Sequence, residues 1–179
     1  IDNNSWTNKP VKGGAVYLIN KYTSSEQGKA PIVRIEGGEE FPLFNVGDDK
    51  EAFLEKLKAY KVKLEKDPEN TVDIYEFNTK RFMYTGTTKA AYQVYVNEGV
   101  DVDESVDVAG LKDDKSDPTN DSTNVRTTVR LMQPYGAAYA AGDHVGIQRH
   151  IQEIALRTDQ DSINSILWGM IHEVGHQMD

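Results

Sequence analysis

The stretch His172-Glu173-Val174-Gly175-His176 constrains the chain more than any other, because its chemistry exists only on a helix. Histidines four residues apart on an α-helix lie about 40° apart around the axis and one turn apart along it, so both rings can face one metal ion. Neutral imidazole suits zinc, and Glu173 flanks the same side, where a carboxylate reaches a water beside the ion. The surrounding residues support the helix: Ile163, Ile166, Leu167, Met170, Ile171, Val174 and Met178 recur at spacings that build one broad apolar face. Asp161 is the expected N-cap. The histidines fall on a separate stripe with Ser165, Trp168 and Gly169. A chance match in a chain with four histidines is on the order of one in a few hundred, before the helical context is required. Catalytic zinc takes three protein ligands, and the motif offers two. Asp179 shares their face but stands about 10 Å farther along the axis, and His144 and His150 lie upstream. Two histidines alone make a poor site, so this chain by itself is expected to hold zinc weakly.

Composition narrows the remaining classes. The chain has 179 residues, enough for one domain with a real core and marginal for two. It has no cysteine, which excludes disulfide frameworks, thiolate zinc sites and cysteine nucleophiles. With 29 acidic against 20 basic residues and a net charge of -9, the chain lacks the basic footprint that nucleic acid or an anionic membrane needs. Apolar runs such as Ala15 to Ile19 are too short to span a bilayer. Residue 1 is Ile, with no basic and apolar leader before the fold, so the sequence reads as a processed protein or an excised fragment without a signal peptide.

Along the chain, Ala15 to Ile19 and Ile32 to Ile35 are expected strands, while Pro42 makes Phe41 to Phe44 an edge strand or loop. Asp48 with Glu51 predicts a capping box, opening a helix whose Phe53, Leu57, Tyr60 and Leu64 would cover a sheet before Pro68 ends it. Strand character follows from Val72 to Phe77 and from Arg81 to Tyr84, broken at Gly86, with a short helix over Thr88 to Glu98. The Asp-rich stretch Asp101 to Asp121 reads as a solvated loop. Its Asp101, Asp103, Ser105 and Asp107 begin like a calcium loop, but Val106 and Lys112 stand where Gly and Glu belong, which leaves only a looser calcium site. Asn124 to Leu131 is a further strand, leading into a segment dense in small residues, where a backbone or a ligand must approach closely.

That segment, Pro134-Tyr135-Gly136-Ala137-Ala138-Tyr139-Ala140-Ala141-Gly142-Asp143-His144-Val145-Gly146, taken with Ile166-Leu167-Trp168-Gly169-Met170-Ile171-His172-Glu173-Val174-Gly175-His176-Gln177, resembles the enhancin-like zinc metallopeptidases, a family that includes mucin-directed bacterial enzymes. Ala15 to Asn20, and Ile35-Glu36-Gly37-Gly38 with Phe41-Pro42, resemble its N-terminal strands, so the likeness spans most of the chain. The resemblance implies an α+β, thermolysin-like zincin with a mixed sheet and an HExxH helix, truncated before the C-terminal part of the domain. Residues 1–179 would form the N-terminal portion of one catalytic domain, with a β-rich region and covering helix over 1–100, and an edge strand and the HExxH helix over 122–179. His172 and His176 would be zinc ligands and Glu173 the general base. The family's third ligand, a downstream Glu, would lie beyond Asp179. Around His144 the resemblance places the edge strand of a substrate cleft, with Tyr139, Gly142, Gly146 and Trp168 as cleft residues; packing is the alternative role for Tyr135, Tyr139 and Trp168, and a structural hydrogen bond for His144. The implied activity is hydrolysis of peptide bonds in mucin-type or other glycosylated proteins by a secreted or cell-surface enzyme. A non-catalytic glycoprotein- or carbohydrate-binding module, or an inactive fragment of the same fold, is the alternative.

Overall fold

Alternation along Tyr75-Glu76-Phe77 sends two aromatic rings to one face of a sheet and a carboxylate to the other, and the architecture follows from that division. The computed structural model describes residues 15–17, 32–78, 82–108, 127–131, 139–141, 144–147, 156–162, 172–173 and 176. Within these, a six-stranded mixed sheet runs in the order β1-β2-β3-β4-β6-β5. Its strands are β1 (Leu43–Asn45), β2 (Tyr75–Asn78), β3 (Phe82–Gly86), β4 (Thr127–Leu131), β5 (Tyr139–Ala141) and β6 (His144–Ile147). β1 with β2, β3 with β4 and β4 with β6 are parallel, whereas β2 with β3 and β5 with β6 are antiparallel. Mixed helix and sheet content agrees with the α+β expectation.

A parallel step needs a crossover, and helices supply it between β1 and β2 and between β3 and β4. Between β1 and β2 runs α1 (Lys50–Lys66), which buries Phe53, Leu57 and Leu64 at the predicted spacing. Tyr60, also predicted for that face, is half-buried and donates its hydroxyl to the Val72 carbonyl at 2.9 Å. The cap is displaced by one residue: Asp49, not Asp48, accepts the Ala52 N–H at 3.0 Å. Asp48 instead accepts the Asn45 backbone N–H at 2.8 Å, tying the β1–α1 turn. Between β3 and β4, α2 (Thr88–Ala91) continues into a π-helix (Tyr92–Asn97), followed by α3 (Val102–Val108). The helical expectation for Thr88 to Glu98 therefore holds. α3 corrects the expected loop, because Val102 and Ser105 are buried and supply an inward face that the acidic composition masks. The rest of that stretch, 109–121, lies outside the described residues.

The core sits between the sheet and this helical layer. Phe77 stacks on Tyr84 at 4.8 Å and 10°, Tyr75 turns edge-on to Tyr95 at 6.3 Å, and Phe53 packs against Phe44 at 5.2 Å. Val145, Ile147 and Leu156 extend the same core toward the β6 end. On the opposite face, Glu76 is buried and accepts the Thr85 hydroxyl at 2.8 Å and the Tyr17 hydroxyl. Two expected strands are not seen. Residues 15–17 and 32–36 pair with no strand among the described residues, and Val16 and Ile35 are 82% and 67% exposed. Apolar, β-branched runs acquire strand geometry only where a neighbouring strand and a core accept them. Residues 18–19 of the first run lie outside the description. No helix among the described residues is long and apolar enough to cross a membrane.

Gly86 ends β3 beneath this aromatic layer, where an added Cβ would stand 2.6 Å from Tyr75 Cε1 and 2.9 Å from Tyr84 Cε1. Gly86→Ala is therefore expected to cost about 1–3 kcal/mol of stability through overpacking, read from urea unfolding. An unchanged midpoint would show that the two rings yield freely.

Candidate metal centre

His172 and Glu173 are helical, and the His176 N–H donates to the His172 carbonyl at 3.3 Å, the backbone bond that a helical turn between them requires. That turn brings the rings together: His172 Nε2 and His176 Nε2 are 3.1 Å apart, with ring centroids at 4.6 Å and planes at 88°. Two ring nitrogens this close must share either a proton or a cation, because two bare lone pairs repel. The distance also suits a metal. Nitrogens at two corners of a zinc tetrahedron with ordinary bond lengths are separated by about 3.3 Å. Both histidines are exposed, while Glu173 between them is half-buried. Among the described residues, no group of three or more His, Asp or Glu is arranged to hold a metal ion.

Upstream of the motif, residues 156–162 are described. A helical turn spans Gln160–Ser162, and Asp159 rather than Asp161 caps that turn, accepting the Ser162 N–H at 2.9 Å and the Ser162 hydroxyl at 2.6 Å. Asp161 lies inside the turn, in a position favourable to the helix dipole but without the capping bond. The signal was present as Asp159-x-x-Ser162, a side-chain acceptor three residues before a donor, two residues earlier than the expected cap at Asp161. Just before it, Arg157 forks onto Glu98, with Nε to Oε2 at 2.8 Å and Nη2 to Oε1 at 2.7 Å. The Ser105 hydroxyl of α3 donates to the Leu156 carbonyl. Neither long-range contact carried a sequence signal.

Tyr139 and His144 do come together. The Tyr139 hydroxyl lies 3.1 Å from His144 Nε2, and their rings meet edge-on at 5.6 Å. Their strands form an antiparallel hairpin in which Tyr139 pairs with Gly146 and Ala141 with His144. The edge of the described sheet is β5, which carries Tyr139, so His144 and the buried Gly146 sit one strand inward. Gly142, Trp168, Tyr135, His150 and Asp179 lie outside the described residues. The loose calcium reading meets competing contacts: Lys50 Nζ lies 2.7 Å from Asp101 and 3.4 Å from Asp103, and Asp101 also accepts the Asp103 N–H at 2.9 Å.

Three carboxyls are held below their ordinary pKa values: Asp101 mainly by the Lys50 ammonium, Glu98 mainly by the Arg157 guanidinium, and Asp159 mainly by the Ser162 hydroxyl.

Comparison with solved structures places the fold. The M60 catalytic domain of ZmpC from Clostridium perfringens, solved in complex with the sialyl T antigen, has a TM-score of 0.60 and 27% identity over 82% of this chain and 30% of that one. The catalytic module of the metalloprotease ZmpA from the same organism has a TM-score of 0.64 and 25% identity over the same shares. The ZmpB metallopeptidase of C. perfringens shares the fold at a TM-score of 0.60 and 23% identity. The chain spans about 30% of the length of each of these proteins. No family model matches the chain, nor does any curated protein. The likeness to the M60-type, enhancin-like metallopeptidases thus holds in three dimensions, over the N-terminal part of their catalytic domain.

Asp159→Ala is expected to lower the thermal midpoint, and Asp161→Ala to leave it nearly unchanged, because only the former removes a capping acceptor. The acid limb has a definite sign. As pH falls, the unfolded chain takes up these protons before the folded chain does. The stability contributed by Glu98, Asp101 and Asp159 is therefore complete above the ordinary carboxyl range and is lost as pH drops through their lowered values. Thermal midpoints measured against pH would show this fall, and Asp159→Asn would make it shallower.

Proposed function

We propose that the chain carries the N-terminal portion of the catalytic domain of a zinc-dependent endopeptidase that hydrolyses peptide bonds in mucin-type or other glycosylated proteins. The observation that carries this reading is the convergence of His172 Nε2 and His176 Nε2 to 3.1 Å within an HExxH spacing. The glycoprotein substrate draws support from the ZmpC catalytic domain, which was solved with the sialyl T antigen. Such a substrate places the protein outside the cell, secreted or at the surface.

In this reading His172 and His176 hold zinc through their Nε2 atoms, and a third protein ligand comes from outside the described residues. Zinc, when bound, supplies a Lewis acid that polarises the scissile carbonyl and acidifies a neighbouring water. Glu173 takes the proton from the attacking water as its oxygen bonds to the carbonyl carbon. The same carboxyl then returns the proton to the departing amine nitrogen as the C–N bond breaks. Edge strand β5 offers an extended peptide a row of backbone groups to pair with, with Tyr139 and His144 at the wall of the cleft and Gly142, Gly146 and Trp168 as further cleft residues.

In the complete natural protein, Glu173→Gln is expected to slow cleavage of a mucin-type glycoprotein by about 10²–10⁴-fold with zinc content retained, whereas His172→Ala loses the zinc. Wild-type protein without zinc overturns the reading, as does a Glu173→Gln variant that cleaves at the wild-type rate. Glycoprotein binding without any cleavage would make the protein a binding module.

A further inference from the structure

The HExxH turn brings two histidines together, and none of the hydrogen bonds or ring contacts of its described residues reaches the sheet. The described residues that could do so are three in near succession, well before the motif. Leu156 is buried in the core and its carbonyl accepts the Ser105 hydroxyl. Arg157 forks onto Glu98 with both bonds under 3 Å, each side chain a little over a quarter exposed. Asp159 then caps the turn at Gln160–Ser162. The apolar periodicity from Ile163 to Met178 predicts one helix leading from there to His172 and His176, and along such a helix the position of residues 156–159 would carry to the motif.

Glu98 is itself unusually placed. It closes the π-helix, its N–H donating to the Gln93 carbonyl at 3.0 Å. Gln93 Nε2 also donates to Glu98 Oε1 at 3.1 Å, and Asn97 donates to Gln93 Oε1 at 2.8 Å, so the carboxylate is held from its own helix as well as by Arg157. Gly99 follows at φ 72°, and the Val100 N–H reaches back to the Val94 carbonyl at 3.1 Å, ending the helix sharply. A π-helix is rare and strained relative to an α-helix, and it persists where its extra residue serves a purpose. Here the purpose is directional. Removing one residue would turn Glu98 by about 100° around the axis and away from Arg157.

We propose that the Glu98–Arg157 fork, aimed by the π-helix, is a positioning device that sets where the His172–His176 turn stands against the sheet. The inference deepens the metal reading above and rests on it for its purpose. Arg157 and Glu98 act through the segment they hold and touch neither substrate nor metal.

The test uses Arg157→Lys, which keeps the charge and loses the fork, together with Glu98→Gln and the exchanged pair Glu98→Arg with Arg157→Glu. Two quantities are followed in each: hydrogen exchange of the His176 amide in the metal-free chain, and affinity for Zn²⁺ alone by chelator competition. Arg157→Lys and Glu98→Gln are expected to lower His176 amide protection several-fold and Zn²⁺ affinity about tenfold, as loss of an outer-shell support does. The exchanged pair should recover part of both, with thermal midpoints close to wild type throughout. Unchanged protection and affinity in both single variants overturn the proposal. So does a loss that only tracks the thermal midpoint and is not recovered by the exchange, since that marks a merely structural pair. If wild-type protein fails to bind Zn²⁺ while amide protection still depends on the fork, the metal reading falls and the positioning role stands.

Discussion

Phe77 lies flat on Tyr84, Tyr75 meets Tyr95 edge-on, and Phe53 closes the row against Phe44. Through these rings the central hairpin is joined to both helical crossovers at once. β2 and β3 supply Tyr75, Phe77 and Tyr84, α1 supplies Phe53, and the π-helix supplies Tyr95. Aromatic pairs of this kind contribute about 0.5–1.5 kcal/mol each beyond the area they bury. Their geometry also sets spacing, because a ring cannot shift without displacing its neighbour. The Tyr75 and Tyr84 hydroxyls are buried with no partner among the described residues, and burial raises both pKa values.

Local signals in the sequence were read correctly where the deciding contacts are local. The four-three-four spacing of Phe53, Leu57, Tyr60 and Leu64 specifies α1, because one face of a helix either is apolar or is not. Pro42 correctly demoted its segment, which forms the short edge strand β1. The capping errors are of one kind at both helices. Asp48 and Asp49 are adjacent, as are Asp159 and Asp161 nearly so, and any of them can accept a backbone N–H. Only the backbone angle at the first helical residue chooses between them. The missed strands and the missed α3 are opposite faces of one problem. Val16 and Ile35 look buried by composition and are exposed, while Val102 and Ser105 stand in an acidic run and are buried. Which of them meets a core is decided by sheet order, and composition does not encode order.

At the candidate site the same boundary falls inside the metal centre. His172 and His176 were legible because their relation is made within one helical turn, and the 3.1 Å approach of their nitrogens follows from the spacing alone. The hairpin contact between Tyr139 and His144 is nearly as local, five residues apart, and both were singled out. The strand that holds the edge was harder. β6 turns back from β5 and takes the place beside β4, so the edge falls on Tyr139 and His144 moves inward. Small residues around 136–146 announced a close approach without saying which strand makes it.

A metal-binding motif is therefore only half of a site. Helical geometry can bring two imidazoles to one point, but the proposed chemistry would also need that point held at a fixed height and angle above the strands. The contacts able to provide this join residues 51 and 59 positions apart, Ser105 to Leu156 and Glu98 to Arg157. They also come from the crossover between β3 and β4, whose other end is the strand paired directly with β6. One covalent crossover thus holds Leu156 and Arg157 at one point and at its other end delivers the strand beside which the edge hairpin is built. A helix of ordinary pitch in that crossover would turn Glu98 by about 100° around the axis and away from Arg157.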